Sequence, residues 1–426
     1  MQEQAPPSPP PPALLTVVSQ HAEEAAALAN QRSALVGAPH VRLHHLRRLD
    51  NRLAAHLDGL AIAGEPGWRC CAAALANPGA SEIFVATVRA LEDRNLLRLE
   101  HLLALTDAVP LLRPGQLGAF GWVSAHFREG TIRHLLASAN PARRQVGIGA
   151  CAMHQVDPGV AIEAALIDEY TPLRARALRA AGESGRRELL AVCTAAISDE
   201  DFACRCWAAR SAFLLGDRNK AIDSLKAIAL EAGPARALAL RLALKFVDAV
   251  PANAVLKELA QAPTTMRLLI QGIANAGDPQ YVPWLIGQMS DLKKARLAGE
   301  SFSLITGLDL AYLDLDTKPP KNFESGPSDK PDDDNVAMDE DDGLPWPDPV
   351  KLQAWWDFNH QRLDPGVRYF MGERVTVEHC KQVLRGGFQR QRVAAAEYLC
   401  LLTPGKPLFP TSAPAWRQQR WLRQMG

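Results

Sequence analysis

Between Val41 and about Ile62, leucine recurs at Leu43, Leu46, Leu49, Leu53, Leu57 and Leu60, in steps of three or four. That spacing puts all six on one face of a helix and leaves Arg42, His44, His45, Arg47, Arg48 and Arg52 to the polar faces. Ala13 to about Val36 reads as a helix too, with Pro39 between the two, so residues 13–64 predict a helical hairpin. Further along, Ile162–Asp168, Leu189–Ile197 and Ile222–Leu230 read as first helices of successive hairpins. Leu173–Ala181, Phe202–Leu215 and Ala235–Phe246 read as the second helices. Pro141, Pro172, Pro234 and Pro263 stand near the starts of second helices, where a missing N–H costs nothing. Gly182, Gly216 and Gly277 are placed to end such helices in the left-handed conformation.

The hairpins repeat. Arg143, Arg174, Arg205, Arg236 and Arg267 are each 31 residues apart, and Arg296 follows after 29. A fixed step of about 30 to 47 residues with helical texture marks a stacked helical repeat. Two degenerate leading units carry Arg69 and Arg98, as expected of repeats that cap a stack. The prediction is an all-α solenoid of about nine helical pairs. Residues 65–313 form the repeat array, after a proline-rich tail at 1–12 and the hairpin at 13–64.

The pattern stops after Gly307. Asp314 to Asp342 holds eleven acidic residues, three lysines and several prolines, which predicts an acidic flexible loop over 314–345. Such a loop is either a solvated linker or a segment docked on a basic groove. Residues 346–426 read as a helical cap and tail, with helices over Val377–Leu384 and Phe388–Leu402 and an extended end carrying Trp416 and Trp421. Trp346, Trp355 and Trp356 are candidate partner contacts, or else a lock that ties the loop's end to the array.

Composition narrows the chemistry. Lys plus Arg equals Asp plus Glu at 47 each, which removes the electrostatic argument for a nucleic-acid partner. No apolar run reaches the roughly 18 residues of a membrane span, and no basic leader precedes an apolar segment. Eight cysteines lie mostly in apolar helical text without a CxxC pair, which favours a reducing, cytoplasmic setting. His44 and His45 point about 100° apart on a helix and make a poor metal pair, and His126 with His134 lacks a third ligand. No phosphate-binding loop, HExxH or GxSxG motif occurs. No catalytic residue, cofactor or small-molecule substrate is therefore expected.

The repeat text resembles the HEAT family, in particular the short bacterial variety also called the phycobilisome-lyase-like repeat. The resemblance rests on Asp168 with Arg174, Asp199 with Arg205, and the Ala-Gly-Asp-Pro at 276–279. It implies a hydrogen-bond ladder between repeats, with Arg143, Arg174, Arg205, Arg236 and Arg267 as its rungs. Over nearly the full length, the leading HxRLHHLRRLDNRLAAHLDGL, GESFSLITGLDL, LPWPDP and closing TSAPAWRQQRW look like a bacterial HEAT-repeat family encoded near type VI secretion components. That likeness implies a non-catalytic scaffold or adaptor whose protein partner is a secretion spike component or an effector. An immunity or chaperone protein for one effector is the nearest alternative. A lyase-like enzyme is the other, suggested by the repeat's name.

Overall fold

The computed structural model describes residues 13–128, 130–321, 323, 326–327 and 338–426. The proline-rich tail and much of the acidic loop lie outside them. Helices dominate. The first nine are α1 Leu15–Leu35, α2 Leu43–Ala63, α3 Glu65–Ala74, α4 Ala80–Glu92, α5 Leu96–Ala108, α6 Arg113–Trp122, α7 Ala125–Arg128, α8 Thr131–Leu136 and α9 Pro141–Met153. Then come α10 Val160–Leu166, α11 Thr171–Ser184, α12 Leu190–Ala195, α13 Phe202–Leu215, α14 Lys220–Leu230, α15 Arg236–Leu244, α16 Ala249–Leu259, α17 Met266–Ala276, α18 Val282–Gln288 and α19 Ala295–Thr306. The last are α20 Pro349–Asn359, α21 Val377–Gly386, α22 Gln389–Leu402 and α23 Ala415–Gln424. The β-structure among the described residues is two antiparallel ladders of two residues per strand, Asp316–Thr317 with Trp346–Pro347 and Tyr369–Phe370 with Glu373–Arg374, and an isolated antiparallel bridge between Arg42 and Phe388.

The chain divides into two compact units. One comprises Met1–Val36, His44–Ala150 and Ala413–Met425, and the other mainly Gly37–Leu43 and Cys151–Ser412.

In the first unit α4 is the hub. Every residue from Ile83 to Leu91 is buried, and α1, α3, α5 and α6 pack around it. The leucine stripe of α2 is buried as its spacing predicts, from Leu46 at 0% exposure to Leu60 at 0%. The tail is not extended: it forms α23, whose Ala415, Gln418 and Leu422 share a buried face at helical spacing. Trp416 meets Trp122 edge to face, with ring centroids 4.7 Å apart. Arg417 donates to the carbonyls of Gly121, Trp122 and Val123 at 2.6, 3.2 and 3.1 Å, covering oxygens that the end of α6 leaves open.

In the second unit each first helix packs on the second helix that follows it: α10 on α11, α12 on α13, α14 on α15, α16 on α17 and α18 on α19. Second helices pack in turn on one another, α11 to α13 to α15 to α17 to α19. Gly216 and Gly277 end their helices left-handed, with φ of 119° and 70°. Gly182 does not. The helix runs on to Ser184, Gly185 takes the left-handed position, and Gly182 lies inside α11, where an added Cβ would come 2.7 Å from the Ser211 Cα. That glycine permits the close approach of α11 and α13.

The C-terminal segment of this unit runs across the ends of the second helices. Tyr369 N–H donates to the Gly277 carbonyl at 2.8 Å, Gly372 N–H to Ile305 at 3.0 Å and Leu408 N–H to Glu183 at 2.9 Å. Helix C-termini carry unsatisfied carbonyls, and the returning chain supplies the missing donors.

Candidate functional site

The repeat arginines divide by partner. Arg174 Nη1 donates to the Asp168 carbonyl at 2.6 Å, Arg205 Nη1 to the Asp199 carbonyl at 2.9 Å, and Arg236 Nε to the Ala229 carbonyl at 3.0 Å. The side chain of Arg174 continues to the turn before α13, where its Nε and Nη2 meet both Asp199 oxygens at 2.8 and 3.0 Å. Arg143 breaks the series. It pairs with Glu100 at 2.6 Å, while its neighbour Arg144 makes the intra-repeat bonds to the Ser138 and Ala139 carbonyls. The step is offset by one residue in that unit. Arg267 departs as well, gripping Asp341 with both Nη atoms at 2.8 Å.

A second arginine series lies five residues after the first: Arg179, Arg210 and Arg241, again 31 apart. The sequence reading did not single it out, although the same period would have found it. Arg210 is buried, whereas Arg179 and Arg241 stay partly exposed; two carboxylates lie near them, Glu183 part-buried and Glu397 buried. Glu183 on α11 accepts from Arg176 at 3.1 Å and Arg179 at 2.7 Å. Glu397 on α22 accepts from Arg241 and Lys245, both on or just beyond α15, at 2.7 Å each. Burial alone would raise both acids, but the cations around them hold each down at about 2. Burial acts the other way on Lys245 and lowers it to about 8 despite its bond to Glu397.

Beside this seam lies a cavity of about 520 Å³, walled by α15, α17, α19 and α22. Arg241, Lys245, Arg267, Glu340, Arg390 and Tyr398 are among its polar lining, and Leu240, Leu297 and Phe370 among its apolar walls. Arg390 pairs with Glu300 at 2.8 Å, and burial raises the Glu300 carboxyl. The described end of the acidic loop docks here. Asp341 is held by Arg267, Asp339 by Arg296 at 2.7 Å, and the Glu340 carbonyl by Arg390 at 2.8 Å. Of the two sequence readings of that loop, docking holds for Asp339–Asp341.

The tryptophans are mostly internal. Trp346 and Trp356 are each 9% exposed, and Trp355 is half-buried with its ring 5.8 Å from that of Phe302. Arg296 stacks over Trp346 at 4.8 Å. The exposed apolar positions of α20 are instead Val350 and Phe358, at 76% and 88%.

Burial pushes Cys193, Cys204, Cys380 and Cys400 up to about 12, so the thiolate form is scarce at neutral pH. Among the described residues no helix is long and apolar enough to cross a membrane. The geometry offers charge, an open cleft and an apolar helix face. No protein-family model matches this chain, and searches of curated proteins and of solved structures return no match.

Proposed function

We propose that the protein is a non-catalytic interaction scaffold whose second unit is a solenoid of HEAT-like helical hairpins. The 31-residue arginine step, the pairing of first and second helices, and the span of Arg174 from one repeat to the next support the repeat reading.

The observation that carries the binding reading is the outer face of α20. Val350, Ala354 and Phe358 recur at a step of four, so they form one stripe, and all three are exposed. Lys351 Nζ bonds the Asp314 carbonyl at 2.7 Å, which ties this helix to the loop carrying Tyr312, itself 83% exposed. An apolar stripe of this kind marks a surface that a partner covers. Trp346 and Trp356 serve this surface from below, as internal supports. The family likeness suggests the partner class, a type VI secretion spike component or effector met in the cytoplasm.

The test is co-purification of the full chain from a bacterium that encodes it, against a Val350→Asp/Phe358→Asp variant. Proteins held by the wild type and lost by a variant with an unchanged circular dichroism spectrum support the surface. An identical set of captured proteins overturns it.

A further inference from the structure

Arg267, Arg296 and Arg390 are each the second residue of a helix, of α17, α19 and α22 in turn. In that first turn the helix dipole adds to the positive potential of the side chain. All three reach one short stretch of chain, Asp339–Asp341. Arg267 holds the two Asp341 carboxylate oxygens at 2.8 Å each and the Glu340 carboxylate at 3.0 Å. Arg296 holds the Asp339 carboxylate at 2.7 Å and the Asp341 carbonyl at 3.1 Å. Arg390 donates to the Glu340 carbonyl at 2.8 Å. Asp339 Oδ1 also accepts the Asp341 N–H at 3.0 Å, which folds the stretch into a turn.

Charge holds this strap. From Met338 to Gly343 no apolar side chain is buried; Met338 is 73% exposed, and the first buried apolar anchor after it is Leu344. A segment held by apolar burial stays until that surface is covered again, whereas one held by ion pairs yields to competing charge. Departure of the strap would strand the guanidiniums of Arg267 and Arg296, the latter on a side chain 8% exposed. A buried cation left without its partner is costly, so the arginines exchange one acidic ligand for another. Arg390 differs, because Glu300 holds its other Nη at 2.8 Å. Arg267, Glu340 and Arg390 all line the open cleft, which gives a second chain access to the strap.

We propose that Arg267, Arg296 and Arg390 form a binding site for an acidic protein segment, with two carboxylates one residue apart, which the chain's own Asp339–Asp341 occupies in cis. The strap is an internal competitor, and a partner's acidic segment binds by displacing it. Its tether gives the strap an effective concentration on the order of millimolar, so a displacing partner needs contacts elsewhere as well. The site is separate from the apolar face of α20 and does not rest on it.

The probe is a fluorescent peptide with the sequence Met338–Gly343, titrated into the full chain and read by anisotropy. The Asp339→Asn/Asp341→Asn protein, with an unchanged circular dichroism spectrum, is expected to bind it saturably and at least about tenfold more tightly than the wild type. Adding Arg267→Gln should remove that gain, and the same peptide carrying Asp339→Asn and Asp341→Asn should not bind. No binding of the acidic peptide, equal binding by wild type and variant, or equal binding of both peptides overturns the proposal. Hydrogen exchange of the wild type serves if the variant does not fold. Between about 0.1 and 1 M sodium chloride the screening length falls from about 10 to about 3 Å, and protection at 339–344 should fall before that of α17 and α19. Unchanged protection of the strap, or its loss only together with both helices, overturns the proposal.

Discussion

Arg174 and Asp199 form a two-point ion pair across neighbouring helical hairpins, with nitrogen–oxygen distances of 2.8 and 3.0 Å over a separation of 25 residues. The pair does two jobs. Asp199 Oδ1 also accepts the N–H of Asp201, so one carboxylate orders the turn before α13 and anchors it to α11. The hydrogen bond from Arg174 is the largest influence on the Asp199 carboxyl, and it holds the group below its ordinary range. Asp199→Ala is expected to lower stability by about 1–3 kcal/mol in urea unfolding. Arg174→Lys, which keeps the charge and loses the fork, should recover only part of it.

A second prediction concerns Asp50, 0% exposed in the first unit. One oxygen accepts Arg32 Nε and the other accepts the N–H of Ala415, each at 2.6 Å. Asp50→Ala strands both donors and should cost about 3 kcal/mol. The specific sign is local: hydrogen exchange should rise across 413–425 well before it rises in α4. Uniform loss of protection would contradict this.

Two glycines give opposite outcomes. Gly277 has φ of 70°, and an added Cβ would come 2.3 Å from the Tyr369 carbonyl oxygen. Gly277→Ala should therefore destabilise by about 1–3 kcal/mol and loosen residues 366–372. Gly287 lies exposed in α18 with nothing within 4 Å of a built Cβ. Gly287→Ala should stabilise by about 0.5–1 kcal/mol, read as a higher melting temperature.

The two units should respond to acid in different windows. In the first, burial and the His21 ring, with Nδ1 atoms 3.1 Å apart, lower His56 below its ordinary value; Arg52 adds to this and Glu24 opposes it. The unfolded chain then takes its proton first, so stability is full above about pH 6.5 and falls below it. In the second, Glu183 and Glu397 sit at about 2 because their cation partners outweigh burial. Their contribution is present above the unfolded value, about 4.3, and is lost as pH falls towards 2. Urea melts at stepped pH check this. His56→Ala should flatten the first decline, and Glu397→Gln, less stable at neutral pH, should flatten the second.

Much of the candidate site was one step away in the sequence. The 31-residue period exposed the first arginine series, and the same period carries Arg179, Arg210 and Arg241 five residues later. Five residues turn a helix by about 140° beyond a full circle, so the two series face different surroundings. Text alone cannot say which series finds carboxylates, because Glu397 stands 156 residues from Arg241. The one-residue offset at Arg143 and Arg144 was hidden for a similar reason. Both are arginines, and only the positions of Glu100 and of the Ser138 carbonyl assign their roles.

The sequence by itself determined where most helices form and which faces are apolar, the tail helix α23 being an exception. Leu46 to Leu60 line the core of the first unit because a 3.6-residue period is a local property that neighbouring residues impose on one another. It likewise set the prolines that open helices and the glycines that close them at Gly216 and Gly277. Tertiary structure decided what the charged groups do. Arg267 bonds Asp341 instead of a carbonyl of its own hairpin, α22 brought Glu397 to Arg241 and Lys245, and α23 joined the first unit through Asp50. A guanidinium bonds whichever acceptor the fold delivers, and the fold delivers acceptors from chain positions that no local pattern connects.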